Sequence, residues 1–454
     1  MPEARIIIIG AGPTGLGAAW RLQELGYGNW AIYEKNDHVG GLATSFVDEK
    51  GFTWDVGGHV LFSHYRYFDD LVEKLLNGAY LEHLRQSWIR IFDTWVPYPF
   101  QNNIRYLPKD KLYECLAGLI DADRRCRPSD NFHDWMFSVF GSGILKYFME
   151  PYNQKVWAYP LREMSQDWIA ERVSVVDIKR ILKNVIHERD DTNWGPNNKF
   201  IFPLRGGTGE IFRRFVPYIK EHLFLEKGVT SINPGNKTVR FQDGEEDCYD
   251  MLINTMPLDL LLRRLEDGNA ALPALQEKVS ALKHTNGIIV GLGFEQKINN
   301  DRCWMYFPEA NNPCYRITNF SNYSPNNVPG GDTERYYSLM CEISYSDYRQ
   351  ADKEGILDKT IEGLIAGGLI SGNDTGKIVT RYVRDVPYTY PVPALGRDHI
   401  LKSVQPYLES MDIYSRGRFG GWKYEVGNMD HSTMQGIEAV DRILQGKTEV
   451  TYRC

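Results

Sequence analysis

A chain of 454 residues that is 43% hydrophobic and 24% charged, with a net charge of −7, has room for roughly two to four domains and a large core. Its ordinary composition excludes extensive disorder. The acidic balance leaves no electrostatic footprint for nucleic acid or an anionic membrane, and no aliphatic run exceeds four residues, far short of a bilayer span. The seven cysteines include no CxxC pair and read as reduced thiols. With no room for a leader ahead of the first apolar run, the expected location is cytoplasmic. The ten histidines show no HExxH or comparable spacing, so no metal is expected.

Ile6 to Ile9 form an unbroken β-branched run, as a parallel strand covered on both faces requires. Gly10-Ala11-Gly12-Pro13-Thr14-Gly15 follows, and Leu16 to Leu22 continue at helical spacing. Strand, GxGxxG and helix in that order form a dinucleotide fingerprint. Gly10 permits the turn, Gly12 lets a pyrophosphate approach the backbone, and Gly15 lets helix and strand pack closely. A second strand, Trp30 to Tyr33, ends in Glu34, 24 residues after Gly10. A carboxylate there accepts ribose hydroxyls and disfavours a 2′-phosphate, which points to FAD or NAD rather than NADP. Gly40-Gly41-Leu42 and Asp55-Val56-Gly57-Gly58-His59 come next. This two-glycine spacing resembles the glutathione-reductase and amine-oxidase superfamily of flavoproteins, and the cofactor implied by that resemblance is FAD.

Residues 60–80 read as a turn leading into a helix. A hairpin is expected to turn at Asp93, followed by a rigid, extended segment Tyr98-Pro99-Phe100-Gln101-Asn102-Asn103 that offers a ring and amides to an uncharged base. Residues 106–190 are helical in character, with starts at Leu107-Pro108 and Asp130-Asn131 and a helix ending near Glu150. A glycine-rich turn at 205–209 precedes a helix at 210–220, and strands at 228–232, 238–241 and 250–255 return the chain to the nucleotide fold. From 285 to 385 strands dominate in alternating pattern, with one helix at 352–367, and an amphipathic helix carrying Met434, Ile437, Val440 and Leu444 closes the chain. The expected fold class is α/β. A discontinuous Rossmann-like FAD-binding domain (1–82, 204–258 and 414–454) is combined with an inserted helical domain (104–190). The third part is an antiparallel-sheet substrate domain (83–103, 191–203 and 259–413).

Several segments together resemble the UDP-galactopyranose mutase family of eukaryotic type. They are Val56 to Tyr65, Trp95 to Asn103, Pro151-Tyr152-Asn153, Lys155-Val156-Trp157, Asn193 to Asn197, Ser415 to Gly420 and Tyr424 to Ser432. The resemblance implies an isomerase that interconverts UDP-galactopyranose and UDP-galactofuranose through a covalent adduct between reduced-flavin N5 and the sugar, without net redox change. It implies that Arg172 and Arg316 hold the diphosphate, with His59, Arg418 and Asn428 beside sugar and flavin. Phe62, Tyr98, Gln101, Asn153 and Trp157 match the uridine pocket. Tyr306, Tyr323, Tyr390 and Tyr424 match a phenol wall for the phosphates, and Asn197 matches a galactose neighbour. The flavin set is Gly10, Gly12, Pro13, Thr14, Gly15, Glu34, Lys35, Gly41, Leu42, Gly57, Gly58, His59, Val229, Arg418, Gly427, Asn428, Met429 and Ser432. The flavin is active when reduced. NADPH or another reductant is the implied electron donor, and Arg85 and Ser87 match positions associated with it. The expected partner is a nucleotide sugar, with no nucleic acid and no membrane, and a homo-oligomer is left open. The alternatives are a mutase of the same mechanism acting on another nucleotide sugar, an amine-oxidase-type oxidoreductase, and a non-catalytic protein like the Rab GDP-dissociation inhibitors.

Overall fold

The computed structural model describes residues 3–123, 129–169, 176–192, 199–298 and 300–453. Its centre is a five-stranded, all-parallel sheet in the order Ile413–Ser415, Met251–Asn254, Ile6–Ile9, Trp30–Tyr33, Leu223–Phe224. The four isoleucines of the middle strand are all buried because side chains alternate and both faces are covered. Ile6 and Ile8 pack with the helices Pro13–Glu24 and Met429–Gln445. Ile7 and Ile9 pack with the helices Leu258–Arg264, Leu272–Ser280 and Arg397–Glu409 and with a small antiparallel sheet over residues 229–248. The first and last long helices cross so closely that a Cβ on Gly17 would overlap the Thr433 carbonyl oxygen, and one on Gly436 would overlap that of Thr14. That contact ties the chain's last helix to the fingerprint helix.

A second sheet of seven strands runs Ile378–Pro391, His284–Phe294, Tyr337–Tyr345, Arg316–Asn319, Trp304–Tyr306, Ser87–Ile91, Thr94–Pro97. It is antiparallel except where Trp304–Tyr306 pairs parallel with Ser87–Ile91. The hairpin turns at Phe92 and Asp93, both at positive φ (49° and 58°). A helical layer of Lys109–Asp123, Phe132–Ile144, Glu150–Trp157 and Ile178–Ile186 lies against this sheet. Asn131 caps the second of these helices by accepting from Asp134 N at 3.0 Å.

Two local expectations need correction. The segment 98–103 is not extended: after Pro99 it folds into a 3-10 turn, Phe100–Asn102. The reason is local. Asn103 Nδ2 donates back to Pro99 O at 3.0 Å, so a side-chain amide competes with extended backbone. The helix expected to stop near Glu150 instead passes through a π-helical stretch, Leu145–Met149, into Glu150–Trp157. Pro151 stands just after the π-helical stretch, at the point where it cannot supply the backbone N–H that a regular helix would donate to the preceding turn.

Asp55, at the end of the short strand Thr53–Asp55, accepts hydrogen bonds from Ser45 Oγ and from Thr208 N (3.2 and 3.3 Å to its two oxygens). Burial nevertheless pushes its carboxyl up to about 7. A raised acid pKa means that the folded state keeps a proton the unfolded chain has released. The stability from this group is therefore complete below about pH 4, declines as pH rises and is gone above pH 7. Asp55→Asn cannot titrate. Between about pH 5 and pH 7.5 the parent is expected to lose roughly 2 kcal/mol relative to this variant, read from denaturant melts. Parallel pH profiles would contradict the assignment.

Candidate active site

Two helix N-termini point the site toward a dinucleotide. The fingerprint helix begins after Gly12 and the last helix after Asn428, and no side-chain cap hydrogen bond closes either end. The N–H groups that a helix leaves without intrahelical partners in its first turn suit phosphate and a ring that carries negative charge. Gly10 adopts φ +94°, and Gly12 and Gly41 approach so closely that a Cβ on Gly41 would lie 3.1 Å from Gly12 Cα. The Glu34 carboxylate, 5% exposed, accepts from Ala11 N at 2.8 Å and from Asn36 Nδ2 at 2.6 Å, fixed at the end of the second strand beside the glycine turn. His59 follows the Gly57-Gly58 turn, and its shielded Nδ1 has no hydrogen-bond partner among the described residues. Burial, reinforced by the positive charges of Arg418 and Arg316, pushes its pKa down to about 3, so the imidazole is neutral at physiological pH. A glycine cradle, two helix N-termini and an imidazole nitrogen without a partner among the described residues fit bound FAD.

The last helix is fixed at its start by residues that lie far apart in the chain. Asp430, 1% exposed, accepts from His64 Nδ1 (2.9 Å) and His431 Nδ1 (3.0 Å). Burial alone would raise its pKa, but the hydrogen bonds from the two histidines outweigh it and hold the carboxyl at about 2. No spacing in the chain signals this cluster.

Next to the His59 turn, the seven-stranded sheet carries a cluster of arginines and aromatic rings. The sheet register sets Tyr306, Arg316 and Glu342 side by side on three neighbouring strands. Arg316 lies 4.7 Å from the Trp304 ring centroid and Arg85 lies 4.8 Å from the same ring, while Arg85 is also 5.6 Å from Phe62. Tyr306 contacts Tyr98 and Tyr152, with centroids 5.3 Å apart in each case. Trp157 contacts Tyr424 (4.9 Å) and Tyr390 (6.1 Å). Arg418 reaches the same wall, 5.7 Å from the Tyr390 ring, and is anchored by Nε to Gly427 O at 2.9 Å. Burial raises the pKa values of Tyr98, Tyr306 and Tyr390, so these phenols keep their protons and act as donors.

The fold therefore brings together Phe62, Tyr98, Trp157, Tyr306, Arg316, Tyr390, Arg418 and Tyr424 from the expected set. Gln101 is buried in the turn after Pro99, and Asn153 sits on the helix of Trp157 with its Nδ2 on Met149 O at 2.7 Å. Tyr323 is fully buried among Phe200, Phe202 and Phe320, with its hydroxyl unpartnered among the described residues. Val229 lies in the small antiparallel sheet, whose neighbour Gly228 packs toward exposed Lys35. Arg172 and Asn197 lie outside the described residues. Two residues escaped the sequence reading. Lys155 is buried and gives its ammonium to the carbonyls of Phe307, Glu309, Asn312 and Cys314 (2.7, 2.7, 2.6 and 3.1 Å), which pins the loop leading into Arg316. Glu342 is an acid inside the otherwise uncharged, wholly buried strand Tyr337–Tyr345. That misplaced charge was the available signal.

The model for the family of flavin-containing amine oxidoreductases matches residues 13–444. The chain belongs to this family. A solved reduced UDP-galactopyranose mutase superposes with a TM-score of 0.95 at 44% identity, covering 100% of this chain and 96% of that one. The resemblance to the mutases read from the sequence thus extends over the whole chain. A putative protoporphyrinogen oxidase from Exiguobacterium sp. 255-15 (TM-score 0.72, 15% identity, 98% and 100% covered) shares the fold alone. The curated 4,4′-diaponeurosporene oxygenase of Staphylococcus haemolyticus is 32% identical over 95 residues, which is 20% of this chain and 18% of that protein. The zeta-carotene desaturase of Capsicum annuum is 36% identical over 74 residues, 16% of this chain and 12% of that protein. The chain thus spans under a fifth of the curated relatives it matches.

Proposed function

We propose that the chain is an FAD-dependent isomerase interconverting UDP-galactopyranose and UDP-galactofuranose without net redox change. The observation that carries this reading is the gathering of Arg85, Arg316 and Arg418 with protonated phenols beside the His59 turn. An amine-oxidase channel calls for apolar walls; this group of cations and hydroxyl donors suits an anion with oxygen acceptors.

When bound and reduced, FAD supplies at N5 the nucleophile for the anomeric carbon of the sugar. Gly12, Gly41, Glu34 and the two helix N-termini would hold it, with His59 and Asn428 at its ring. Arg316, joined by Arg172 in the mutase resemblance, takes the charge of the departing diphosphate and keeps it in place for the return step. Holding both fragments in one cavity replaces a bimolecular encounter with an intramolecular one, worth about 7 kcal/mol or more. Tyr306, Tyr390 and Tyr424 donate to phosphate oxygens. Tyr98, Gln101, Phe62 and Trp157 clamp the uridine, and neutral His59 adds no charge that would compete with the arginines for the diphosphate. Arg85, over Trp304, serves an NADPH-type reductant or the substrate phosphates.

The test is an assay of dithionite-reduced and oxidised protein against a panel of UDP-sugars. Conversion of UDP-galactofuranose to the pyranose by the reduced form only is the expected result. Preference for another UDP-sugar would move the substrate within the same reading. Peroxide formation from amines with no conversion of any nucleotide sugar would replace the reading with an oxidase.

A further inference from the structure

We infer that Glu342 is a positioning residue that fixes which edge of the Arg316 guanidinium is left for a ligand and locks it to the Gly58 turn. This rests on the proposed function only in taking a diphosphate as the ligand of Arg316.

A carboxylate offers about four lone-pair sites, and all four are used. Oε1 accepts from Arg316 Nε (2.5 Å) and Gly58 N (3.1 Å), and Oε2 accepts from Arg316 Nη2 (2.5 Å) and the Tyr315 hydroxyl (2.9 Å). None is left for a ligand, so Glu342 acts only through its neighbours. The side chain is 3% exposed and Arg316 is 14% exposed. Such a pair is held by geometry rather than solvent, and either charge alone would be costly there.

The donor count of the arginine completes the picture. A guanidinium has five N–H groups in a fixed fork. Glu342 occupies one on Nε and one on Nη2, which leaves the Nη1 pair and the second Nη2 hydrogen for other partners. With its central carbon 4.7 Å from the Trp304 ring centroid and one edge gripped by Glu342, the guanidinium is held in one orientation. Gly58 has no room to adjust, because a Cβ there would lie 2.9 Å from Glu342 Oε1 and 3.3 Å from Arg316 Nε. One carboxylate therefore sets the distance between the turn that flanks the flavin and the arginine that holds the leaving group.

Two substitutions separate charge from geometry. Glu342→Gln keeps the shape but puts an amide donor against the guanidinium and leaves Arg316 without its counter-charge. Glu342→Asp keeps the charge and retracts it by one methylene. For the flavin-loaded, reduced enzyme, turnover is expected to fall about 10- to 100-fold in both, the usual cost of losing a partner that orients a ligand-binding group. UDP affinity, measured by titration calorimetry, is expected to split. It tightens about three- to tenfold in Glu342→Gln, because the diphosphate becomes the missing counter-ion, and it stays within about threefold of the parent in Glu342→Asp. A merely structural role would weaken turnover and affinity together in both variants, and that result overturns the assignment, as does turnover within threefold of the parent. If Glu342→Gln does not fold, Glu342→Asp decides alone by the same split. A parent enzyme that binds no UDP would instead sink the proposed function. The two failures are thus told apart by the parent.

Discussion

Arg316→Ala is expected to lower turnover of the nucleotide sugar by about 10²- to 10³-fold, the range for removing a group that stabilises charge developing in the transition state. In the proposed reaction the leaving diphosphate gains charge as the anomeric bond breaks. Arg316 meets it from a shielded position over Trp304, where a charge-assisted hydrogen bond is worth more than in water. The alanine variant also strands the Glu342 carboxylate, which accepts two hydrogen bonds from this guanidinium. Removing one partner of such a buried pair costs about 3–5 kcal/mol of stability, so the melting temperature has to be followed with the rate. Arg316→Lys separates the two effects. It keeps a positive charge near Glu342 and most of the stability, but a point charge cannot serve carboxylate and diphosphate through one planar fork. Its turnover should remain at least about tenfold down. Single-turnover conversion by reduced enzyme is the measurement, and an alanine variant within tenfold of the parent would remove Arg316 from the chemistry.

Gly15→Ala is expected to abolish flavin binding. A Cβ at Gly15 would overlap the Gly10 carbonyl oxygen and press on Ile8 Cγ2 at 3.3 Å. Relief requires the fingerprint helix to lift from the central strand, but its other side is closed by the Gly17 and Gly436 contacts with the last helix. The added methyl therefore distorts the one turn whose N–H groups would receive the pyrophosphate, and overpacking of this kind costs about 1–3 kcal/mol even before the ligand is considered. The purified variant should be colourless, with the parent yellow under the same preparation. A yellow variant with parental flavin content would show that the close packing is not needed for the cofactor.

Much of this molecule can be read from short stretches because the constraint is local. Ile6 to Gly15 places strand, turn and helix within one βα unit, and the alternation that buries all four isoleucines follows from the pleat. Glu34, Gly41, Gly57 and Gly58 lie within fifty residues of that unit. The phenol and arginine positions were legible only through the mutase resemblance, since a tyrosine on an isolated loop reads equally well as core. The 98–103 turn was misread for a physical reason: the fold of that segment depends on where its amides find acceptors, and Asn103 uses both its own Pro99 O and Asp191 O from another element.

The chain order alone dictated the first βα unit and its glycine cradle, because each depends on contacts between near neighbours and on backbone conformations that only particular residues adopt. The electrostatics waited for the folded molecule. Residues 58, 315, 316 and 342 meet at one carboxylate, and residues 64, 430 and 431 meet at another, only because sheet register and helix crossing bring distant segments within hydrogen-bond range. A buried charge takes its role from what surrounds it, and no one-dimensional spacing carries that information.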